Sequence, residues 1–267
     1  MALDLDGTLL RSDKRISTRS VSAIAQVMQR GVRVVLASAR PPRSVREIYN
    51  LLRLDTLQIN YNGALIHDAS LARHWFHQPL AAKLAMRVAR FARRVDPQVV
   101  VSAEILDRWF TDRVDGSLLT ESSRMHHPDF IGPLESFLHV PVTKLMLLAP
   151  PHRLERVRQA VRRKFAGRIA ILISDGHLLQ IVDAGVDKSH ALARLAGHYG
   201  ISAKQVMAIG DAPNDLGMLR WAGLGVAVQN AWPAVREAAD VLTLANDHEG
   251  VALALQRYVL DRCPMPA

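Results

Sequence analysis

The chain has 267 residues, 49% hydrophobic and 22% charged, enough apolar material for one large domain or two of ordinary size. No apolar run reaches transmembrane length, the N-terminus is an acidic pair rather than a secretion signal, and the single Cys263 excludes internal disulfides and cysteine-built metal sites. The net charge of +9 is spread out, with 16 Lys and Arg against 11 Asp and Glu in residues 79–183 and 18 against 14 elsewhere; with 5% aromatics and no basic tail, no nucleic-acid partner is expected.

The chain opens on Ala2–Leu10, where apolar residues run into Asp4 and Asp6 before Gly7 breaks the run. A buried strand ending in Asp-x-Asp-Gly puts two acids at the lip of a sheet, pointing the same way unless the chain turns there. Two close carboxylates repel unless a cation lies between them or one keeps a proton. The pair therefore suggests hard-metal binding, nucleophilic attack by one acid, or acid/base work by the other. An Asp-Gly turn at a strand end also occurs without function, so the rest of the chain decides.

Ser17 or Thr18 is placed to cap a helix with Val21, Ile24, Ala25 and Met28 on its apolar face, and Gly31 to end it. Val32–Ala37 reads as a strand ending at Ser38, which completes a strand–helix–strand unit of a parallel sheet. A short helix through Val45, Ile48, Tyr49 and Leu52 follows Pro41-Pro42. Short strands then flank Asn60-Tyr61-Asn62-Gly63, where Asn-Gly supplies a turn.

The pattern changes near Pro79. A helix carrying Leu84, Val88, Phe91 and Val95 precedes a strand at Val99–Ala103, and residues 111–141 read as irregular. A second strand spans Val142–Leu148, a helix opens at Pro151, and Ile169–Ile173 pairs with Leu178–Val182 across Asp175-Gly176. Residues 79–183 thus read as an inserted α/β block with an antiparallel sheet, because the parallel pattern resumes afterwards. It resumes with a helix Lys188–Tyr199, a strand Gln205–Ile209 ending in Gly210-Asp211, and a helix Leu216–Trp221. A strand Gly225–Val228, a helix Ala231–Ala239, a strand Val241-Leu242 and a helix Glu249–Leu260 complete the chain.

Three strand ends carry candidate site residues: Asp4 with Asp6, Ser38, and Asp211 with Asn214 and Asp215. Loops at the carboxyl ends of parallel strands share one crevice, where ligands bind. Four clustered carboxylates suit Mg²⁺ rather than a soft metal. Lys188 is placed to offset them and a bound phosphate, and Ser38 offers a hydroxyl and nearby N–H groups for phosphoryl oxygens.

Asp4-Leu5-Asp6-Gly7-Thr8, Ser38, Lys188 and Gly210-Asp211-Ala212-Pro213-Asn214-Asp215 resemble, in order and spacing, the four motifs of the haloacid-dehalogenase-like hydrolase superfamily. More narrowly, the chain resembles its Cof-type sugar-phosphate phosphatases, with supporting matches at Asn60–Ala64, Gly185–Lys188, Gly217–Leu219, Asn230-Ala231 and Asp247–Ala252. The resemblance implies a Rossmann-like parallel-sheet core, residues 1–78 and 184–267, with an inserted α/β cap, 79–183, that closes over the site and sets selectivity. It also implies that Asp4 is the nucleophile and Asp6 the acid and base. Asp4, the Asp6 main-chain carbonyl, Asp211 and Asp215 would serve Mg²⁺, and Ser38, Lys188 and Asn214 the phosphoryl group, with Arg40 a candidate substrate contact.

Four departures stand out: Ala39 and Ser189 where the family has Gly, Val228-Gln229 where it often has Met-Gly, and few apolar residues before Asp4. Either the sheet accepts a short first strand or the sequence starts inside a longer chain. Asp187 reads as a solvated loop acid, and His74 with His77 as surface residues lacking a third metal ligand. His126-His127 fall in the irregular segment, and Gly223-Leu224-Gly225 reads as a tight turn rather than a dinucleotide loop. The cap arginines read as solvated faces. The expectation is a cytoplasmic, Mg²⁺-dependent phosphatase of small phosphorylated metabolites; the alternatives are a phosphomutase and a non-catalytic basic nucleic-acid binder.

Overall fold

Apolar residues ahead of Asp4 form the middle of a parallel sheet. In the computed structural model, which describes residues 1–118 and 126–261, β1 (Ala2–Leu3) is fully buried. It pairs in parallel with β2 (Val35–Leu36) on one side and β12 (Met207–Gly210) on the other. The sheet continues through β13 (Leu224–Ala227) to β14 (Val241–Leu242), giving the order β14-β13-β12-β1-β2. Strands buried on both faces need no polar alternation, which is why they read as continuous apolar runs. Among the described residues, no helix is long and apolar enough to cross a membrane.

The Thr18–Gln29 helix starts at Ser17, whose side chain accepts from the Ser20 N–H, and is followed by Gly31 at φ +80°. Its buried face is Ser20, Ala23, Ile24 and Val27; Ala25 is exposed, and Val21 and Met28 are half-buried, so the expected stripe is rotated. This helix packs against the Gly250–Leu255 helix. That last helix begins at Gly250 because Glu249 adopts a left-handed conformation (φ 65°), and it widens into a π turn over Gln256–Leu260.

β3 (Gln58–Asn60), β4 (Leu65–Asp68) and β5 (Arg73–His77) form a small separate sheet, with β3 and β4 antiparallel across the Tyr61–Gly63 turn. An isolated parallel bridge, Ala37 to Ile59, ties it to the end of β2.

The chain divides into two compact units, Met1–Trp75 with Asp187–Ala267, and Phe76–Val186. The second unit holds a six-stranded sheet of β6 (Val100–Ile105), β7 (Arg108–Thr111), β8 (Phe130–Ile131), β9 (Lys144–Leu148), β10 (Ile169–Asp175) and β11 (Leu178–Asp183), in the order β10-β11-β9-β6-β7-β8. Its own core joins Leu84, Val88, Leu145, Leu147 and Val157, drawn from the Ala82–Val95 and Pro151–Lys164 helices and one face of the sheet, with Phe165, which caps the second helix.

Residues 111–141, expected to be irregular, contribute β8 and a 3₁₀ turn at Leu134–Ser136; residues 119–125 of that segment lie outside the described residues. The β7–β8 pairing is parallel, so the sheet is antiparallel except at this edge. Phe110 reaches the Phe130 and Phe137 rings at 6.1 Å each, so aromatic packing rather than strand length holds the edge.

Candidate active site

Asp4 leaves β1 with its N–H still bonded to the Ile209 carbonyl at 3.0 Å, and the chain then coils tightly. Thr8 and Leu10 N–H donate to the Leu5 carbonyl, and Leu9 N–H donates to that of Asp4. Strand alternation therefore stops at the first acid, and the two carboxylates find different partners. Asp4, 5% exposed, accepts a hydrogen bond on Oδ1 from Lys188 Nζ at 2.6 Å. The same ammonium donates to Asp215 Oδ1 at 2.7 Å.

Lys188 is 1% exposed because it opens the Lys188–His198 helix at a buried end. Asp187, expected to be a solvated loop acid, is instead half-buried and caps this helix, accepting from the Ser189 N–H at 2.6 Å.

Asp211 and Asp215 enter from the end of β12. Asp215 is fully buried, and its Oδ2 accepts from the N–H groups of Asp211 and Ala212, both at 3.0 Å. Asp211 Oδ1 accepts from Thr8 Oγ1 at 2.7 Å. Gly7 has φ +82°, and a Cβ there would lie 2.5 Å from Asp211 Oδ2, so both conformation and space require glycine.

Asp4, Asp211 and Asp215 each offer a carboxylate oxygen within 4.8 Å of the others. Burial pushes the Asp4 carboxyl well above the ordinary carboxylate range; the Asp215 charge adds to this and the Lys188 ammonium offsets part of it. Burial also raises Asp211, to about 6, against the lowering effect of the Thr8 hydrogen bond. Burial disfavours the Lys188 ammonium too, but the Asp215 and Asp4 charges outweigh it and raise its pKa. Three buried carboxylates against one ammonium leave excess negative charge, and oxygen-only donors of this kind suit a hard divalent cation. The residues present fit such an ion.

Asp6 stands apart. Its carboxylate takes a bidentate fork from Arg40, Nε to Oδ2 at 2.7 Å and Nη2 to Oδ1 at 2.6 Å, and a third bond from Lys14 Nζ to Oδ1 at 2.9 Å. Burial favours the neutral acid, but the Arg40 and Lys14 cations outweigh it and hold Asp6 below the usual range. Ser38 is buried at the end of β2, and its Oγ accepts from the Arg40 N–H at 3.1 Å. Its carbonyl accepts from the Asn62 N–H at 3.0 Å, and Asn214 Nδ2 donates to Asn62 Oδ1 at 2.8 Å.

The eight candidate residues thus fall in two hydrogen-bonded groups that meet at the Asn214–Asp215 peptide bond. One runs from Asp6 through Arg40, Ser38 and Asn62 to Asn214; in the other, Asp215 bonds Asp211 and shares Lys188 with Asp4.

Sequence reasoning assigned no role to Thr8, Lys14 or Asn62. Thr8 and Asn62 lay inside matched motifs, and Asn62 also belonged to the Asn-Gly turn, whereas Lys14 carried no signal. The His74–His77 spacing brings no shared site. His74 Nδ1 lies 3.3 Å from His67 Nδ1, while His77 Nε2 lies 3.0 Å from Thr143 Oγ1.

Comparison with known proteins identifies the family. A profile of the haloacid dehalogenase-like hydrolases matches residues 1–255. The 5-amino-6-(5-phospho-D-ribitylamino)uracil phosphatase YitU of Bacillus subtilis is 30% identical, over 97% of this chain and 96% of its own length. The HMP-PP phosphatase of Klebsiella pneumoniae is 28% identical, over 99% and 97%. Among solved structures, a haloacid dehalogenase-like hydrolase from Bacteroides thetaiotaomicron superposes with a TM-score of 0.86 at 29% identity, covering 96% of this chain and 97% of that one. Taken with a parallel sheet whose strand ends gather three acids around a buried lysine, the match over residues 1–255 shows that the chain belongs to the haloacid dehalogenase-like hydrolases, a family of enzymes.

Proposed function

We propose that the protein is a Mg²⁺-dependent phosphatase that hydrolyses small phosphomonoesters, sugar phosphates or similar metabolites, through an aspartyl-phosphate at Asp4. The observation that carries this reading is the buried Lys188 bridging Asp4 and Asp215 beside Asp211. An anionic nucleophile next to a fixed cation is the arrangement that transfer of a phosphoryl dianion requires. The two phosphatase relatives, whose names specify small phosphorylated compounds, support the substrate class.

In this reading an Asp4 oxygen bonds to phosphorus, the ester P–O bond breaks, and the leaving oxygen keeps its electron pair and takes a proton from Asp6. Water then attacks phosphorus, Asp6 accepts its proton, and the bond to Asp4 breaks to regenerate the carboxylate. Lys188, Ser38 and Asn214 hold the phosphoryl oxygens. Asp4, Asp211, Asp215 and the Asp6 carbonyl would hold Mg²⁺, which when bound neutralises phosphoryl charge. The Phe76–Val186 unit sets substrate selectivity.

A panel of phosphorylated metabolites assayed for phosphate release tests this. Asp4→Asn is expected to be folded and inactive, and EDTA to abolish wild-type turnover until Mg²⁺ is restored. Near-normal phosphate release by Asp4→Asn would remove the nucleophile assignment.

A further inference from the structure

Four acids meet at the strand ends, yet only three converge; the fourth, Asp6, is drawn aside by two cations. The two cations differ in how firmly they are held. The Arg40 side chain is 15% exposed and its main chain is fixed on both sides. Its N–H donates to Ser38 Oγ at 3.1 Å, and its carbonyl accepts from Asn60 Nδ2 at 3.1 Å and the Tyr61 N–H at 3.3 Å. Lys14, half exposed, reaches in from a left-handed position (φ 64°) on a loop closed by the Arg11 N–H to Arg15 carbonyl bond.

A planar fork fixes the carboxylate plane as a point charge cannot. Without it, the Asp6 side chain would be free to turn among the other carboxylates.

We propose that Arg40, assisted by Lys14, is a positioning residue that holds the Asp6 carboxylate apart from the other acids and aims it for the hydrolytic half of the reaction. The proposal rests on the phosphatase reading. In that half the water oxygen bonds to phosphorus, its proton passes to Asp6, and the P–O bond to Asp4 breaks with its electrons returning to the Asp4 carboxylate.

Hydrolysis of p-nitrophenyl phosphate separates the two halves, because p-nitrophenolate leaves without a proton and phosphorylation of Asp4 then makes no demand on Asp6. Arg40→Gln is expected to release a rapid burst of one p-nitrophenolate per active site, followed by a steady rate roughly ten- to hundredfold below wild type. Lys14→Met should give the same pattern, more weakly. Arg40→Lys, which restores charge without the fork, should not rescue the steady rate.

A raised KM at unchanged kcat in Arg40→Gln would make Arg40 a substrate ligand and overturn the proposal, as would equal slowing of burst and steady phases. Should Arg40→Gln fail to fold by circular dichroism, Lys14→Met carries the comparison, and an unchanged steady rate there overturns the proposal. A wild type that turns over no ester removes the phosphatase reading and the clamp together. An active wild type with unchanged Arg40→Gln removes the clamp alone.

Discussion

Lys188 carries the largest electrostatic load of any single residue in the site, since its ammonium is fully buried against two carboxylates. Removing one partner of a buried ion pair strands the other charge, which costs roughly 3–5 kcal/mol. Lys188→Met is therefore expected to lower the unfolding temperature and abolish turnover, with added divalent cation recovering part of the stability but none of the activity; calorimetry with and without Mg²⁺ checks this. Asp211 gives the pH dependence. Its carboxyl is raised to about 6 in the folded protein, so the native state binds a proton that the unfolded state has released. Its stability contribution is full below the ordinary aspartate value near 3.8 and is lost as pH rises through about 6. In metal-free protein, Asp211→Asn should match wild type near pH 4 and exceed it in stability at pH 7, an advantage that Mg²⁺ removes by stabilising the wild type. Equal pH profiles of denaturant unfolding for the two proteins would contradict the raised carboxyl.

At the scale of elements, the segment around residues 230–249 serves as a bracket for the loop after Asp6. Asn230 Nδ2 donates to the Gly7 carbonyl at 2.8 Å, Asn246 Nδ2 to that of Leu10 at 2.9 Å, and Asp247 accepts from Ser12 N–H at 2.8 Å and Ser12 Oγ at 2.5 Å. Ser17, the helix cap, donates its hydroxyl to Glu249. These bonds give the Asn230-Ala231 and Asp247–Ala252 matches a physical meaning that spacing alone did not supply. Asp247→Ala is expected to speed amide hydrogen exchange at Ser12 and reduce turnover several-fold, with little change in melting temperature because the side chain is exposed; unchanged exchange at Ser12 would contradict the bracket. The acids, Ser38 and Lys188 were legible because they sit at strand ends or helix starts, where local pattern fixes position. Arg40's engagement with Asp6 and Asn62's bond to Asn214 depend on contacts between distant segments, and Lys14's approach to Asp6, eight residues away, depends on a left-handed turn; no local periodicity encodes either. Short strands were lost for a related reason: β8 has two residues and is held by the Phe110, Phe130 and Phe137 rings.

The whole molecule divides into units that differ in kind. The parallel strands were legible as apolar runs bounded by Gly and Asp; the change of texture falls near Pro79, and the second compact unit spans Phe76–Val186. The Phe76–Val186 unit closes its own hydrophobic core between two helices and a sheet of neighbouring strands. Produced alone, residues 76–186 are expected to unfold in a single cooperative denaturant transition; a gradual, non-cooperative loss of circular dichroism would show that the core depends on the remainder.

The central place of β1 has a consequence for how the chain acquires its structure. β1 lies between β2 and β12, and the Thr8–Asp211 and Lys188–Asp4 bonds span 203 and 184 residues of sequence. Such pairings close only after the loop entropy of nearly the whole chain has been overcome, whereas the hairpins of the inserted unit close locally. During synthesis the inserted unit can order early while β1 waits for β12 to emerge. Refolding followed by hydrogen exchange should accordingly protect the β6–β7 and β10–β11 hairpins before β1, with catalytic competence appearing in the last kinetic phase.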